Sequence, residues 1–121
     1  MIEQTWRDEV IEYKCSGNVY IQDLVESLQN TVEDARYSST SGSMWDLRGA
    51  KYTFSMEEHN QTAPVFIAIL GNPIIVRKTA WIVEFKLSEA IIDLYYENHA
   101  WPQDWKCFHS TNDARAWLST S

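Results

Sequence analysis

The chain has 121 residues, 45% of them hydrophobic, and a formal net charge of −7. That length and apolar content fit a single domain over residues 1–121 with one real core. The acidic balance argues against nucleic acid, which needs a basic stripe to release counterions, and against an anionic membrane surface.

Met1-Ile2-Glu3-Gln4 lacks the basic start and apolar run of a signal peptide, and no apolar run approaches membrane-spanning length. A cytoplasmic protein is expected. Cys15 and Cys107 are too few for a disulfide scaffold and lack metal-ligand spacing. They read as small buried hydrophobes on strands.

Residues 9–15 alternate, with Val10, Glu12 and Lys14 against Ile11, Tyr13 and Cys15. This period of two predicts a strand, and Ser16-Gly17-Asn18 reads as its break. Ile21, Leu24, Val25, Leu28, Val32 and Ala35 then make one apolar stripe at helical spacing, a helix of about four turns. The Ser/Thr/Gly stretch 38–43 reads as a loop.

Met44-Trp45-Asp46-Leu47 reads as a short second strand, with Gly49 marking a sharp turn. Ser55 with Glu58 forms a capping-box pattern that opens a second helix over 55–70, kinked at Pro64. The apolar run 65–70 also admits a strand. Residues 79–85 read as a buried strand, Ser88 as the cap of a third helix, and 101–104 as a loop. A last strand is expected over 105–109, followed by a helix capped by Ser110 or Thr111 that runs through Leu118. Strands alternating with helices imply a mainly parallel sheet with helices on its faces.

Three segments resemble the SpoIIAA-like family, a branch of the STAS superfamily. They are Tyr13-Lys14-Cys15-Ser16-Gly17-Asn18-Val19, then Met44-Trp45-Asp46-Leu47-Arg48-Gly49-Ala50, then Cys107-Phe108-His109-Ser110 running into Asp113-Ala114-Arg115-Ala116-Trp117-Leu118. The resemblance implies an α/β fold with a small four- or five-stranded sheet flanked by helices. It also implies a regulatory interaction module, since better-known STAS domains are anti-sigma-factor antagonists. In those domains a serine at the start of the second helix is phosphorylated, and Ser55 stands nine residues after Asp46 in the corresponding place. The local pattern departs from theirs: Phe54 precedes Ser55, and Met56-Glu57-Glu58 follows it, with two acids that repel a phosphate. The plainer role for Ser55 is a helix cap.

No Gly-rich phosphate loop, nucleophile elbow or His-Glu-x-x-His motif is present, so neither an enzyme nor a cofactor is expected. His59, His99 and His109 have no metal spacing. Ligands of open α/β sheets bind outside the carboxyl ends of the strands. That places Asp46, Arg48, Ser55 and Trp81, with Ser16 and Lys86 nearby, as candidates to hold a small apolar or anionic ligand. The alternative there is a local Asp46–Arg48 ion pair. A second candidate surface is aromatic: Tyr95, Tyr96, Trp101 and Trp105, placed to meet a protein partner or a second copy of the chain. The leading expectation is a non-catalytic interaction module, with a small-molecule or lipid-binding domain as the alternative.

Overall fold

The structure, a computed structural model, describes residues 1–7, 9–52, 57–58, 61, 64, 77–97 and 103–119. Five strands form one sheet in sequential order: β1 (Ile2–Arg7), β2 (Val10–Val19), β3 (Gly42–Tyr52), β4 (Arg77–Ile82) and β5 (Gln103–Phe108). β1 is antiparallel to β2, and β2 through β5 run parallel. The described helices are α1 (Ile21–Glu33), α2 (Lys86–Glu97) and α3 (Thr111–Leu118), with a 3-10 turn at Ala35–Ser39. The expected α/β, mainly parallel architecture is the one observed.

Strands added in one direction by crossovers of one hand place their connecting helices on one face. α1 and α2 accordingly share a face. Leu24 and Val25 of α1 and Ile92 of α2 pack with Ile11, Tyr13, Cys15, Val19, Trp45, Leu47 and Val83. Tyr13, Trp45 and Trp81 stand opposite one another on three neighbouring strands. Their rings stack at 3.8 and 5.5 Å between centroids, which contributes about 0.5–1.5 kcal/mol per pair beyond burial. α3 takes the other face, where Ala114 and Leu118 meet Met44, Ala80 and Ile82. The approach is close: a Cβ on Gly42 would lie 2.8 Å from the Lys78 carbonyl oxygen and 2.9 Å from Leu118 Cδ2.

Several boundaries differ from expectation. β1 was not anticipated as a strand. Ser16-Gly17-Asn18 does not end β2, because Gly17 takes φ 66° and the strand continues to Val19. Gly49 does not turn the chain. The register moves from Lys14↔Asp46 to Ser16↔Gly49, so a β-bulge at Leu47–Arg48 absorbs one extra residue and pairing resumes to Tyr52. Inward-facing residues of β3 change from odd (Trp45, Leu47) to even (Ala50) across it. The 38–43 loop is partly the 3-10 turn and partly the start of β3. β4 ends at Ile82, and α2 begins at Lys86, with Ser88 already inside its first turn. β5 takes in Gln103 and Asp104 from the expected loop.

The α3 cap falls on Ser110, whose hydroxyl accepts from the Asp113 N–H at 3.1 Å. Of the expected helix 55–70, Glu57, Glu58, Gln61 and Pro64 are described and helical; the rest, Ser55 included, lies outside the described residues.

Candidate functional site

On the α3 face, the alternation of the strands sets out a field of charge. β1 presents Glu3, Thr5 and Arg7, which register opposite Lys14, Glu12 and Val10 of β2. β3 adds Asp46 and Arg48, and α3 adds Thr111 and Arg115 at the border. α3 itself packs against β3, β4 and β5. Over β1, β2 and the middle of β3, no described element covers this face, and an open groove of about 290 Å³ lies there.

Two carboxylates organise the groove. Glu12, its side chain 11% exposed, accepts from Arg7 Nε at 3.1 Å and from Arg115 Nε and Nη2 at 3.1 and 3.0 Å. It thereby ties β1 and α3 to β2. Asp46, its side chain 16% exposed, takes Arg48 Nε and Nη2 at 2.9 Å each. The bulge frees the Arg48 N–H from the ladder, and Asp46 Oδ1 accepts it at 3.2 Å. Arg48 Nη2 also donates to Thr111 Oγ1 at 3.1 Å.

The hydrogen bonds from Arg48 hold the Asp46 carboxyl below its ordinary range against the opposing effect of partial burial, and Lys14 adds to the lowering. The same pair raises Arg48, and Glu12 raises Arg115. Four cations (Arg7, Lys14, Arg48, Arg115) face three carboxylates (Glu3, Glu12, Asp46), so this patch runs against the net charge of −7 of the chain. The arrangement suits recognition of a charged surface. Two of its acids, Glu12 and Asp46, are engaged by arginine, which holds them as ion-pair partners.

The remaining reactive groups are placed otherwise. Burial pushes the Cys15 thiol up to about 12 and that of Cys107 likewise to about 12, the resting state of inert cysteines. His109 donates from Nδ1 to the Val83 carbonyl oxygen at 3.0 Å, and its Nε2 meets Glu89 at 3.2 Å, joining the ends of β4 and β5 to α2. Among the described residues, no group of three or more His, Cys, Asp or Glu is placed to hold a metal ion.

The structure brings together Asp46 and Arg48 of the expected ligand site and separates them from Trp81. Trp81 stacks on Trp45 on the opposite face of the sheet. The sheet itself therefore divides the pocket expected from sequence. Ser55 lies outside the described residues. Of the expected aromatic surface, Tyr95 and Tyr96 belong to α2 and Trp105 is half-buried on β5, while Trp101 is outside the described residues. Glu3, Thr5, Glu12, Lys14 and Arg115 were not anticipated. For Glu12 and Lys14 the signal was the alternation of β2, polar on one face and apolar on the other; in β1 the polar Gln4 among the inward residues blurs it, and Arg115 reaches the groove from α3.

No family model and no curated protein matches the chain. Solved structures do. One is an uncharacterised protein of the DUF3478 family with a SpoIIAA-like fold, from Shewanella loihica PV-4. It is 17% identical with a TM-score of 0.64, over 98% of this chain and 92% of that one. Another is the anti-sigma factor antagonist SpoIIAA in its unphosphorylated form, 9% identical with a TM-score of 0.52, over 96% and 94%. At these identities the likeness is one of fold: the chain has the SpoIIAA-like fold suggested by its motifs. No helix among the described residues is long and apolar enough to cross a membrane.

Proposed function

We propose that this chain is a non-catalytic, STAS-like interaction module of regulatory type, and that it binds a protein partner through the charged half-face of its sheet. The observation that carries the reading is the field of paired charges over β1–β3 that no described element covers, on a fold shared with an anti-sigma factor antagonist. Interfaces of this kind gain specificity and encounter rate from charge complementarity, and Glu12 and Asp46 hold the arginines ready at little cost in side-chain freedom. The partner surface would mirror the pattern, with acids opposite Lys14 and Arg115.

The test is cross-linking and affinity capture with the wild type, Lys14→Glu, and Lys86→Glu as a control on the α2 face. Loss of the captured partner with Lys14→Glu alone supports the reading. Equal capture by all three overturns it.

The groove also favours a second reading, a small-molecule site. Its lining is charged, so the ligand class is a polar anion or zwitterion rather than a lipid. A panel of such compounds should raise the melting temperature of the wild type and not of Arg48→Gln; no shift from any member counts against this second reading.

A further inference from the structure

The free edge of β1 has the geometry to pair with itself. β1 is the outermost strand on its side of the sheet. Met1 and Ser16 exchange both backbone bonds, at 2.6 and 2.9 Å. In an antiparallel ladder such pairs recur at every second residue. Following the register Ile2↔Cys15 to Arg7↔Val10, Glu3, Thr5 and Arg7 turn their backbone groups towards β2. Ile2, Gln4 and Trp6 turn theirs outwards, along an edge with no strand beside it among the described residues.

The edge is held firmly. Gln4 Nε2 donates to the Ser27 carbonyl oxygen on α1 at 3.2 Å, and the Arg36 guanidinium lies 4.5 Å over the Trp6 ring. Exposed, straight edges of this kind are templates for another strand unless something blunts them.

The side chains select the strand. Two-fold antiparallel pairing must join outward-turned residues to outward-turned residues, which restricts the registers. With Glu3 or Arg7 on the axis, like charges meet; with Gln4 or Trp6 on it, Thr5 stands opposite Glu3 or Arg7 and no opposite charges pair across β1; with Ile2 on it, only three residues overlap. With Thr5 on the axis, Gln4 and the partner's Trp6 exchange hydrogen bonds, and Glu3 stands opposite the partner's Arg7 twice by symmetry. These are non-hydrogen-bonded positions, where side chains approach most closely. Glu3 is exposed and has no ion pair among the described residues, while Arg7 is 56% exposed with Nε on Glu12.

We infer that two copies of this chain associate through antiparallel β1–β1 pairing about a two-fold axis at Thr5, fixed by reciprocal Glu3–Arg7 ion pairs. The result is one continuous ten-stranded sheet, whose two charged half-faces lie side by side. A six-residue edge buries little area, so the association is weak and concentration-dependent. The inference goes beyond the proposed function and stands apart from it. Pairing uses the edge of β1, and capture of a different protein uses the face.

Sedimentation equilibrium and native mass spectrometry of the full chain, from millimolar to micromolar, test it. Wild type should pass from dimer to monomer on dilution. Glu3→Lys and Arg7→Glu should each be folded by circular dichroism and monomeric alone, and an equimolar mixture of the two should restore a heterodimer. Thr5→Cys should form a symmetric disulfide on mild oxidation, because non-hydrogen-bonded Cα atoms about 4.5 Å apart suit the bond. Wild type that is monomeric throughout would overturn the inference. So would a dimer that survives Glu3→Lys, a mixture that fails to reassociate, or a Thr5→Cys variant that cross-links no faster than the parent with its two native cysteines.

Discussion

Replacing Thr31 with valine removes one hydroxyl from the buried joint between the sheet and α1. Thr31 is 3% exposed and Tyr13 is 1% exposed. The Thr31 hydroxyl donates to the Ser27 carbonyl oxygen at 2.8 Å, so in the contact between Tyr13 Oη and Thr31 Oγ1 the phenol is the donor. Burial pushes the Tyr13 phenol well above its ordinary range, which keeps that proton in place. Valine preserves the volume and leaves the phenol buried without an acceptor, at a cost of about 1–3 kcal/mol. Tyr13→Phe removes the donor and leaves Thr31 bonded to Ser27, a loss of about 0.5–1.5 kcal/mol.

The two effects should not add. Once valine stands at position 31, the Tyr13 hydroxyl is itself the liability. Tyr13→Phe in that background should then be neutral or stabilising, and the double variant more stable than Thr31→Val alone. Urea unfolding of the four proteins, followed by tryptophan fluorescence, gives the cycle. If Tyr13→Phe costs the same in both backgrounds, the hydrogen bond does not couple β2 to α1 and the reasoning fails.

Gly42→Ala should destabilise by about 1–3 kcal/mol, because the obstructing Lys78 oxygen is backbone and cannot swing aside; chemical denaturation checks it. Ser110→Ala should cost about 1 kcal/mol through loss of the α3 cap, seen as faster amide exchange at Asp113 and a lower melting temperature. Cys15 titrates near 9 unfolded and about 12 folded, so its contribution is complete below pH 9 and is lost as pH rises towards 12, by at most about 1.4 kcal/mol per pH unit. Cys15→Ala should therefore flatten the fall in stability between pH 9 and 10, and an unchanged slope would exclude a buried thiol as its source.

The parts of the fold legible in the sequence were those whose pattern is carried by apolar residues. The alternation of Ile11, Tyr13 and Cys15 against Val10, Glu12 and Lys14 located β2, and the spacing of Leu24, Val25 and Leu28 located α1. β1 escaped because one inward position is Gln4, a polar residue whose hydrogen bonds reach α1. The deepest line of α1 escaped for the same reason. It runs through Leu24, Ser27 and Thr31, and the last two are buried by satisfying one another and their neighbours. Hydrophobic periodicity has no means of marking a buried hydroxyl with a partner on another element. The candidate site was half legible. Asp46 and Arg48 were singled out together, but the face of Trp81 depends on the pairing of β3 with β4, which no spacing within either strand reveals.

One irregularity both hid the middle of β3 and built the site there. A bulge breaks the period of two, so a pattern read along the chain stops at Leu47 and takes Gly49 for a turn. The same slip puts Arg48 and Gly49 together on the exposed side, frees the Arg48 N–H, and lets Asp46 take backbone and guanidinium at once. Asp46 should accordingly remain ionised to lower pH than an ordinary aspartate. Its folded-state value is depressed, so the stability it lends is present above the unfolded aspartate range and is lost as pH falls through the folded value. A carboxyl carbon titration by NMR should place Asp46 below the ordinary range in the wild type and move it upwards in Arg48→Gln, since the guanidinium is the largest cause of the depression. If the midpoint is the same in both proteins, the bulge does not organise the pair, and the charged face loses its fixed centre.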